Sequence, residues 1–442
     1  MKKLLSLLLV LVMLFALAAC GGNQTGGNTT EPDNSAGSTG NEQPAKQEDK
    51  TPDNPPEESG KPYEGVTLNY WSMWNAAEAQ GQVIAAAAEA FEEETGAHIN
   101  IEWKGRDINT LLTAALESNE PIDIFEDSDD RIGNVYAPYT ADLTEMAAAA
   151  DYDSHSYPVF NNQSIAWAGY LNSIVEQPNI GGIFYDKDAF DAAGITAAPA
   201  TWDEFLDACQ KLKDNGVAPL VQDSAYTNFS FYYQLTRYLG EDGIAELRDN
   251  GGWADNEGAV AAAQDIIDLV DAGYFADGTP SEFPSGENKI GLDEAAMVVC
   301  ADYVCAEVDG NTMSETSWGV FNYPAVEGGK SNAAYMGANC LAIASYSENQ
   351  QAAFDFCMFL VTGEWGQKLA DDAHQIPADP TNTCTSLPGA VETLLSADAP
   401  MTWCTALNTH EAWQSMRDEM TNLFAGKYAT GADFCAAIDA LY

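Results

Sequence analysis

Sixty-eight carboxylates stand against eighteen Lys and Arg in 442 residues, so pairs of acids at glycosidase spacing must arise by chance and mark no general acid or base. No Gly-x-Ser-x-Gly elbow is present to present a serine nucleophile. Gly328-Gly329-Lys330-Ser331 has the end of a phosphate loop, but Pro324 stands where the first glycine belongs; the amide cradle cannot form, and the segment reads as a hairpin turn. His410-Glu411-Ala412-Trp413 begins as a zinc-protease helix would and then offers Gln414 instead of a second imidazole. Asp127-Ser128-Asp129-Asp130 has the acidic spacing of a calcium loop, yet Ile132 occupies the position that needs glycine. Eight cysteines lie beyond Cys20, with no C-x₂-C pair and four histidines in the chain. That pattern fits no zinc module and reads better as buried small hydrophobes, with a Cys384–Cys404 bridge left open. No catalytic residue, metal or cofactor is expected. What is left is an aromatic surplus of ten Trp, nineteen Tyr and seventeen Phe. Flat rings pack on the C–H faces of sugars while Asp, Asn and Arg pair with hydroxyls, a combination that binds a neutral, hydroxyl-rich ligand.

Such side chains need a scaffold, and the chain has the material for one. Hydrophobic residues make up 46%, enough for a large core in a chain of this length. The formal charge of −50 repels phosphate backbones, which excludes nucleic acid as a partner. Alternation predicts strands over 66–71 and 98–103, with a short apolar strand at 122–125. Helical spacing at Val83, Ile84, Ala87, Ala90 and Phe91 predicts a helix over 78–95 stopped by Gly96, and a second helix covers 108–116. That β-α-β-α-β order is the signature of a parallel α/β layer. Further on, a strand is expected at 182–185 and helices at 259–272 and 413–424. Thr201-Trp202-Asp203-Glu204 and Ser347-Glu348-Asn349-Gln350 both read as capping boxes opening helices.

Lys2 and Lys3 precede an apolar run from Leu4 to Ala19 that is too short to span a membrane. The run reads as a signal peptide (1–19), and Leu17-Ala18-Ala19-Cys20-Gly21 resembles a bacterial lipobox in which the Cys20 thiol takes the lipid. Residues 20–62, rich in Gly, Asn, Thr, Ser and Pro, form a lipid-anchored tether too polar to order. With the two leader lysines and the tether's eight acids and three lysines set aside, the body carries 60 acids and 13 bases, or −47.

Gly182-Ile183-Phe184-Tyr185-Asp186-Lys187-Asp188-Ala189-Phe190 is followed by Ala193-Gly194, Pro199, Thr201-Trp202-Asp203-Glu204-Phe205 and Lys211-Leu212-Lys213. In this run the chain closely resembles the family-1 extracellular solute-binding proteins of ABC importers. Gly291 to Met297, Trp318-Gly319-Val320-Phe321, Gly337-Ala338-Asn339-Cys340-Leu341-Ala342-Ile343 and the 347–361 segment continue the likeness in the family's order. The resemblance implies an α/β, two-lobed fold with a hinge and an interlobe ligand cleft. Lobe I would take 63–178 and 340–388, and lobe II 183–335 and 392–442. By similarity to maltose-binding members, the ligand residues would be Trp74, Asn75, Asp130, Arg131, Asn179, Tyr226, Tyr303 and Trp413. Ala301-Asp302 and the 160–178 stretch, with Trp167 and Tyr170, depart from the family's pattern. The implied protein is no enzyme. It is a monomeric lipoprotein on the outer face of the cell membrane that captures a carbohydrate, expected to be an oligosaccharide, and delivers it to the transmembrane subunits of an ABC permease. The body's charge keeps open a cationic solute such as a polyamine on the same fold, and a surface-anchored glycan hydrolase or adhesin also stays open.

Overall fold

The computed structural model describes Gly60 to Tyr442 apart from Asp398. The expected leader, the Cys20 lipid site and the tether up to residue 59 lie outside the described residues, in which no helix is long and apolar enough to cross a membrane.

β1 (Thr67–Ser72), the helix Ala79–Thr95, β2 (His98–Trp103), the helix Ile108–Glu117 and β3 (Ile124–Ser128) follow in the order read from the sequence. β1 lies between β2 and β3 and is parallel to both, as right-handed β-α-β crossovers require. The helix Ala79–Thr95 buries Val83, Ile84, Ala87 and Phe91, and ends where Gly96 turns to φ 82° and returns its N–H to the Glu92 carbonyl. After β1 the buried Glu126 carboxylate accepts from the Tyr70 and Ser72 hydroxyls and the Met73 amide, which fixes the path of the chain into Trp74.

β4 (Ile174–Asp186) is thirteen residues long, not the short strand expected at 182–185. Most of its residues are buried on both faces, so no alternation announced its first half. Its first part, through Ile180, pairs antiparallel with β8 (Ala334–Ile343). From Gly181 onward it pairs with β6 (Ala295–Ala301) and β7 (Trp318–Phe321). β5 (Ala218–Val221) adds parallel to β6, and β9 (Pro400–Met401) adds to the start of β8. The resulting order is β2-β1-β3-β8-β4-β6-β5. One half of the sheet is built from the first three strands and β8, the other from β5, β6 and β7, and β4 runs through both. The architecture is α/β and two-lobed, with β4 changing partners at Ile180–Gly181.

Helices cover the second half. Trp202–Asp214 starts at the Thr201 capping box, with both reciprocal bonds to Glu204 present. Thr227–Asn250 and Glu257–Asp271 pack with Trp413–Phe424 and Gly431–Asp439 around a core of Phe231, Ile266, Met420 and Phe434. The second expected capping box does not form. The Ser347 hydroxyl bonds the Asp123 carboxylate and accepts from the Asn349 amide, and the helix starts only at Gln350. Glu327 and Gly328 form a turn closed by the Gly329 amide on the Val326 carbonyl, but β7 and β8 each pair with β4 and not with one another, so it closes no hairpin.

All eight described cysteines are free and six are buried. The Cys384–Cys404 bridge is absent: Cys384 donates to the Leu387 carbonyl, and Cys404 contacts Asn228.

Candidate functional site

A cavity of about 420 Å³ opens where the two sheet halves meet. The end of β3 contributes Ser128, and the following helix Asp129–Asn134 contributes Asp129 and Asp130. β4 supplies Asn179, the end of β6 supplies Ala301, the start of the helix Tyr303–Thr312 supplies Asp302 and Tyr303, and β8 supplies Tyr335 to Asn339. Trp167 and Gln163 reach it from the helix Pro158–Ala168, and Thr402 and Trp403 come from the turn after β9. In open α/β sheets, ligands gather beyond strand ends at places where strand order reverses; here the β3 and β6 ends converge on the stretch where β4 changes partners.

The aromatic wall is preorganised. Trp403 stacks on Phe229 with ring centroids 3.9 Å apart and planes 8° from parallel. Tyr335 meets the same indole edge-on at 5.4 Å. Tyr226 stands one layer behind, 6.2 Å from both Tyr303 and Trp403. Trp167 lies flat against Gly133, where a Cβ would come within 2.4 Å of the indole.

The electrostatics of the cavity are one-sided. Burial, with the charge of neighbouring Asp130 added, pushes the Asp129 carboxyl up to about 7. Burial alone raises Asp302 to about 7. Tyr335 is pushed up to about 12 by burial and by the charges of Asp129, Asp302 and Asp130. Asp302 also grips the point of partner exchange, its amide donating to the Ile180 carbonyl and its Oδ1 accepting from the Ile180 amide.

Of the residues expected from the sequence, Asp130, Asn179 and Tyr303 line this cavity. Tyr226 supports it from behind. Four others do not line it. Trp74 is 5% exposed and lies under the Arg106 guanidinium at 4.5 Å. Asn75 is an exposed turn residue whose amide donates to Glu78. Arg131 turns to the far side of its helix, bonding Asp127, Tyr136 and the Asn109 carbonyl. Trp413 is half-buried at the start of its own helix, packed on the core of the second half. Trp167, Tyr335, Trp403, Asp129, Asp302 and Asn339 line the cavity without having been among the expected ligand residues, although Trp167 and Asp302 fall in the two segments that depart from the family's pattern. For the β8 residues a signal existed: along Ala334–Asn339, burial alternates so that Tyr335, Gly337 and Asn339 share the half-open face. Trp403 gave none, because β9 has only two residues.

The motifs set aside in the sequence have other roles. Asp127 anchors Arg131 and Tyr136, and His410 packs on the Tyr442 ring. Among the described residues, no group of three or more His, Cys, Asp or Glu could hold a metal ion. A cavity of about 460 Å³ lies beside Tyr185, Phe321 and Tyr323, but those rings are already packed on Phe190, Trp202 and Tyr233.

Residues 75–366 match the family model described as bacterial extracellular solute-binding protein. The diacetylchitobiose binding protein DasA of Streptomyces coelicolor is 25% identical over 402 residues, covering 85% of this chain and 82% of its own. Among solved structures, a chitin oligosaccharide binding protein superposes with a TM-score of 0.55 at 18% identity, covering 85% of this chain and 97% of that one. The cyclic alpha-maltosyl-1,6-maltose binding protein from Arthrobacter globiformis gives a TM-score of 0.60 at 18% identity, with 85% and 98% covered.

Proposed function

We propose, on the premise that this chain belongs to the bacterial extracellular solute-binding proteins, that its cleft captures an oligosaccharide and hands it to the membrane subunits of an ABC importer. The family and its relatives are binding proteins rather than enzymes, and the family places the chain outside the cytoplasmic membrane. DasA and the two solved neighbours carry names that are all of oligosaccharide binders. The observation that carries the reading is the cavity itself. Its aromatic faces, Trp167, Tyr303, Tyr335 and Trp403, come from both sheet halves, with Asn179, Asn339 and three aspartates between them.

The lobes are 63–178 with 340–388, and 183–335 with 392–442. Ligand lying across both makes its full set of contacts only when they close, so binding shifts the open and closed populations, and the permease reads the closed form. A micromolar ligand supplies about 8 kcal/mol in all, and closure needs only a part of that to differ between states. Bending is absorbed at Ile180 and Gly181 in β4 and at Met336, which faces Ile180 in β8, where β4 passes between halves. The protein works as a monomer, held to the outer face of the membrane through lipid on Cys20.

Thermal unfolding of residues 60–442 against a glycan panel, with tryptophan fluorescence and small-angle scattering alongside, tests this. A glycan that raises the melting point and compacts the particle supports the reading. A tight ligand that leaves the scattering unchanged overturns hinge closure, and a panel of glycans without any shift overturns the carbohydrate assignment.

A further inference from the structure

Among the described residues the cleft holds three carboxylates, Asp129, Asp130 and Asp302, and no lysine, arginine or histidine lines it. Among the described residues none of the three forms an ion pair. The nearest base in sequence, Arg131, is taken up by Asp127, Tyr136 and the Asn109 carbonyl. Asp129 and Asp130 open one short helix while Asp302 follows β6, so the charge is gathered from opposite sides of the cavity. Gln163 adds a further acceptor there, its Oε1 buried and without a hydrogen-bond partner.

Closing a neutral sugar into this space would remove water from three carboxylates without giving any of them a counter-charge. Each accepts a hydrogen bond, Asp129 from the Asp130 amide, Asp130 from the Ser128 hydroxyl and Asp302 from the Ile180 amide, but a carboxylate buried without a counter-charge still costs several kcal/mol or takes up a proton instead. Burial already makes two of these resist ionisation. An ammonium group offers three N–H donors and the missing charge. The rings of Trp167, Tyr303, Tyr335 and Trp403 serve such a ligand doubly, since an aromatic face attracts a cation and also packs on a sugar's C–H surface.

We infer that the preferred ligand is a cationic carbohydrate, an oligosaccharide of hexosamine units with free amino groups, whose ammonium sits among Asp129, Asp130 and Asp302. This rests on the carbohydrate reading above and narrows it. A plain polyamine would satisfy the acids but leave the sugar-sized aromatic faces with only methylene chains to cover.

The test is calorimetric titration of the protein with glucosamine and galactosamine oligosaccharides, with their N-acetylated counterparts, and with spermidine, at about 20 and about 500 mM NaCl. The expected result is that an amino oligosaccharide binds about tenfold or more tighter than its N-acetylated form and loses most of that advantage at high salt. Asp129→Asn and Asp302→Asn, checked for folding by circular dichroism, should cut the amino sugar's affinity about tenfold and the N-acetylated form's by much less. Equal or tighter binding of an N-acetylated or otherwise neutral glycan, indifferent to salt, overturns the inference and leaves the carbohydrate reading standing. Tight spermidine binding with no response to any glycan overturns both, as does silence from every amine and glycan.

Discussion

Trp403 has one face sealed against Phe229 and one edge against Tyr335, so its position is set before any ligand arrives. Replacing it by alanine should cost a glycan about 2 kcal/mol of affinity or more, as removal of a rigid aromatic anchor does. Trp413→Ala, on a helix that does not line the cavity, should lower the melting point and leave affinity unchanged; titration of the two variants side by side checks this, and a larger affinity loss at Trp413 would reverse the assignment. Gly133→Ala should act at a distance. Its methyl group must displace the Trp167 indole, which predicts several-fold weaker binding with an altered tryptophan emission maximum and only a modest melting shift. The difference between Trp403 and Trp413 also marks what the sequence could convey. Trp413 was marked by the resemblance to maltose-binding members, whereas Trp403 sits after a strand of two residues with no periodicity to flag it. Arg131 was expected among the ligand residues, but the turn of its helix brings Asp127 and Tyr136 to its guanidinium, and they take it up on the side away from the cavity.

At the scale of elements, local rules carried the order of the first β-α-β-α-β run and the bounds of its first two strands and both helices to within a residue, while β3 begins two residues later than expected and runs on to Ser128. They did less well with β4, whose first half is buried on both faces and contains Pro178 and a register shift between Val175 and Gln177. That half can be recognised only through its partner β8. The two capping boxes make the same point: Thr201 has nothing stronger to bind and caps its helix, while Ser347 is drawn to Asp123. Thr201→Ala should therefore cost about 1 kcal/mol of stability with ligand affinity unchanged, readable by urea denaturation and titration. The crossing between the halves is far less tolerant. A Cβ at Gly181 would stand within 3.0 Å of Phe229, Tyr335 and Tyr233 at once, and Tyr335 lines the cavity. Gly181→Ala should destabilise by about 1–3 kcal/mol and also weaken binding, and a variant that melts lower yet binds at full strength would show that the crossing and the cleft are independent.

For the whole molecule the dominant fact is an excess of acid, some of it buried. Glu126 and Glu176 lie fully buried in the first half, and each carboxyl is raised first of all by burial. For Glu176 the neighbouring Glu126 charge adds to burial, and together they outweigh the lowering effect of Gln375, Trp74 and Arg106. In the second half, burial together with Glu307 and Asp223 pushes Glu287 up to about 8; in the cleft, Asp129 and Asp302 reach about 7. For an acid whose folded pKa lies above its unfolded value, the folded state holds the proton longer. Between about pH 4.5 and pH 8 the unfolded chain therefore binds fewer protons, and stability must fall as pH rises. The carboxylates held below their usual range, Glu102, Glu204, Asp249 and Glu419, act oppositely, but their stabilisation is lost only as pH drops below about 4.5. Repulsion within a chain of net charge −50 adds to the decline on the alkaline side and is the part that salt can screen. The melting temperature should thus be highest near pH 5, fall by several degrees on the way to pH 8, and recover only partly in about 0.5 M NaCl. Glu176→Gln and Glu287→Gln should each flatten that slope, since an amide at either place has no proton to lose. Differential scanning calorimetry across the range decides the matter. A melting temperature that climbs from pH 5 to pH 8 would mean that the buried acids are ionised and partnered in the folded protein. A decline erased entirely by salt would assign it to surface repulsion alone.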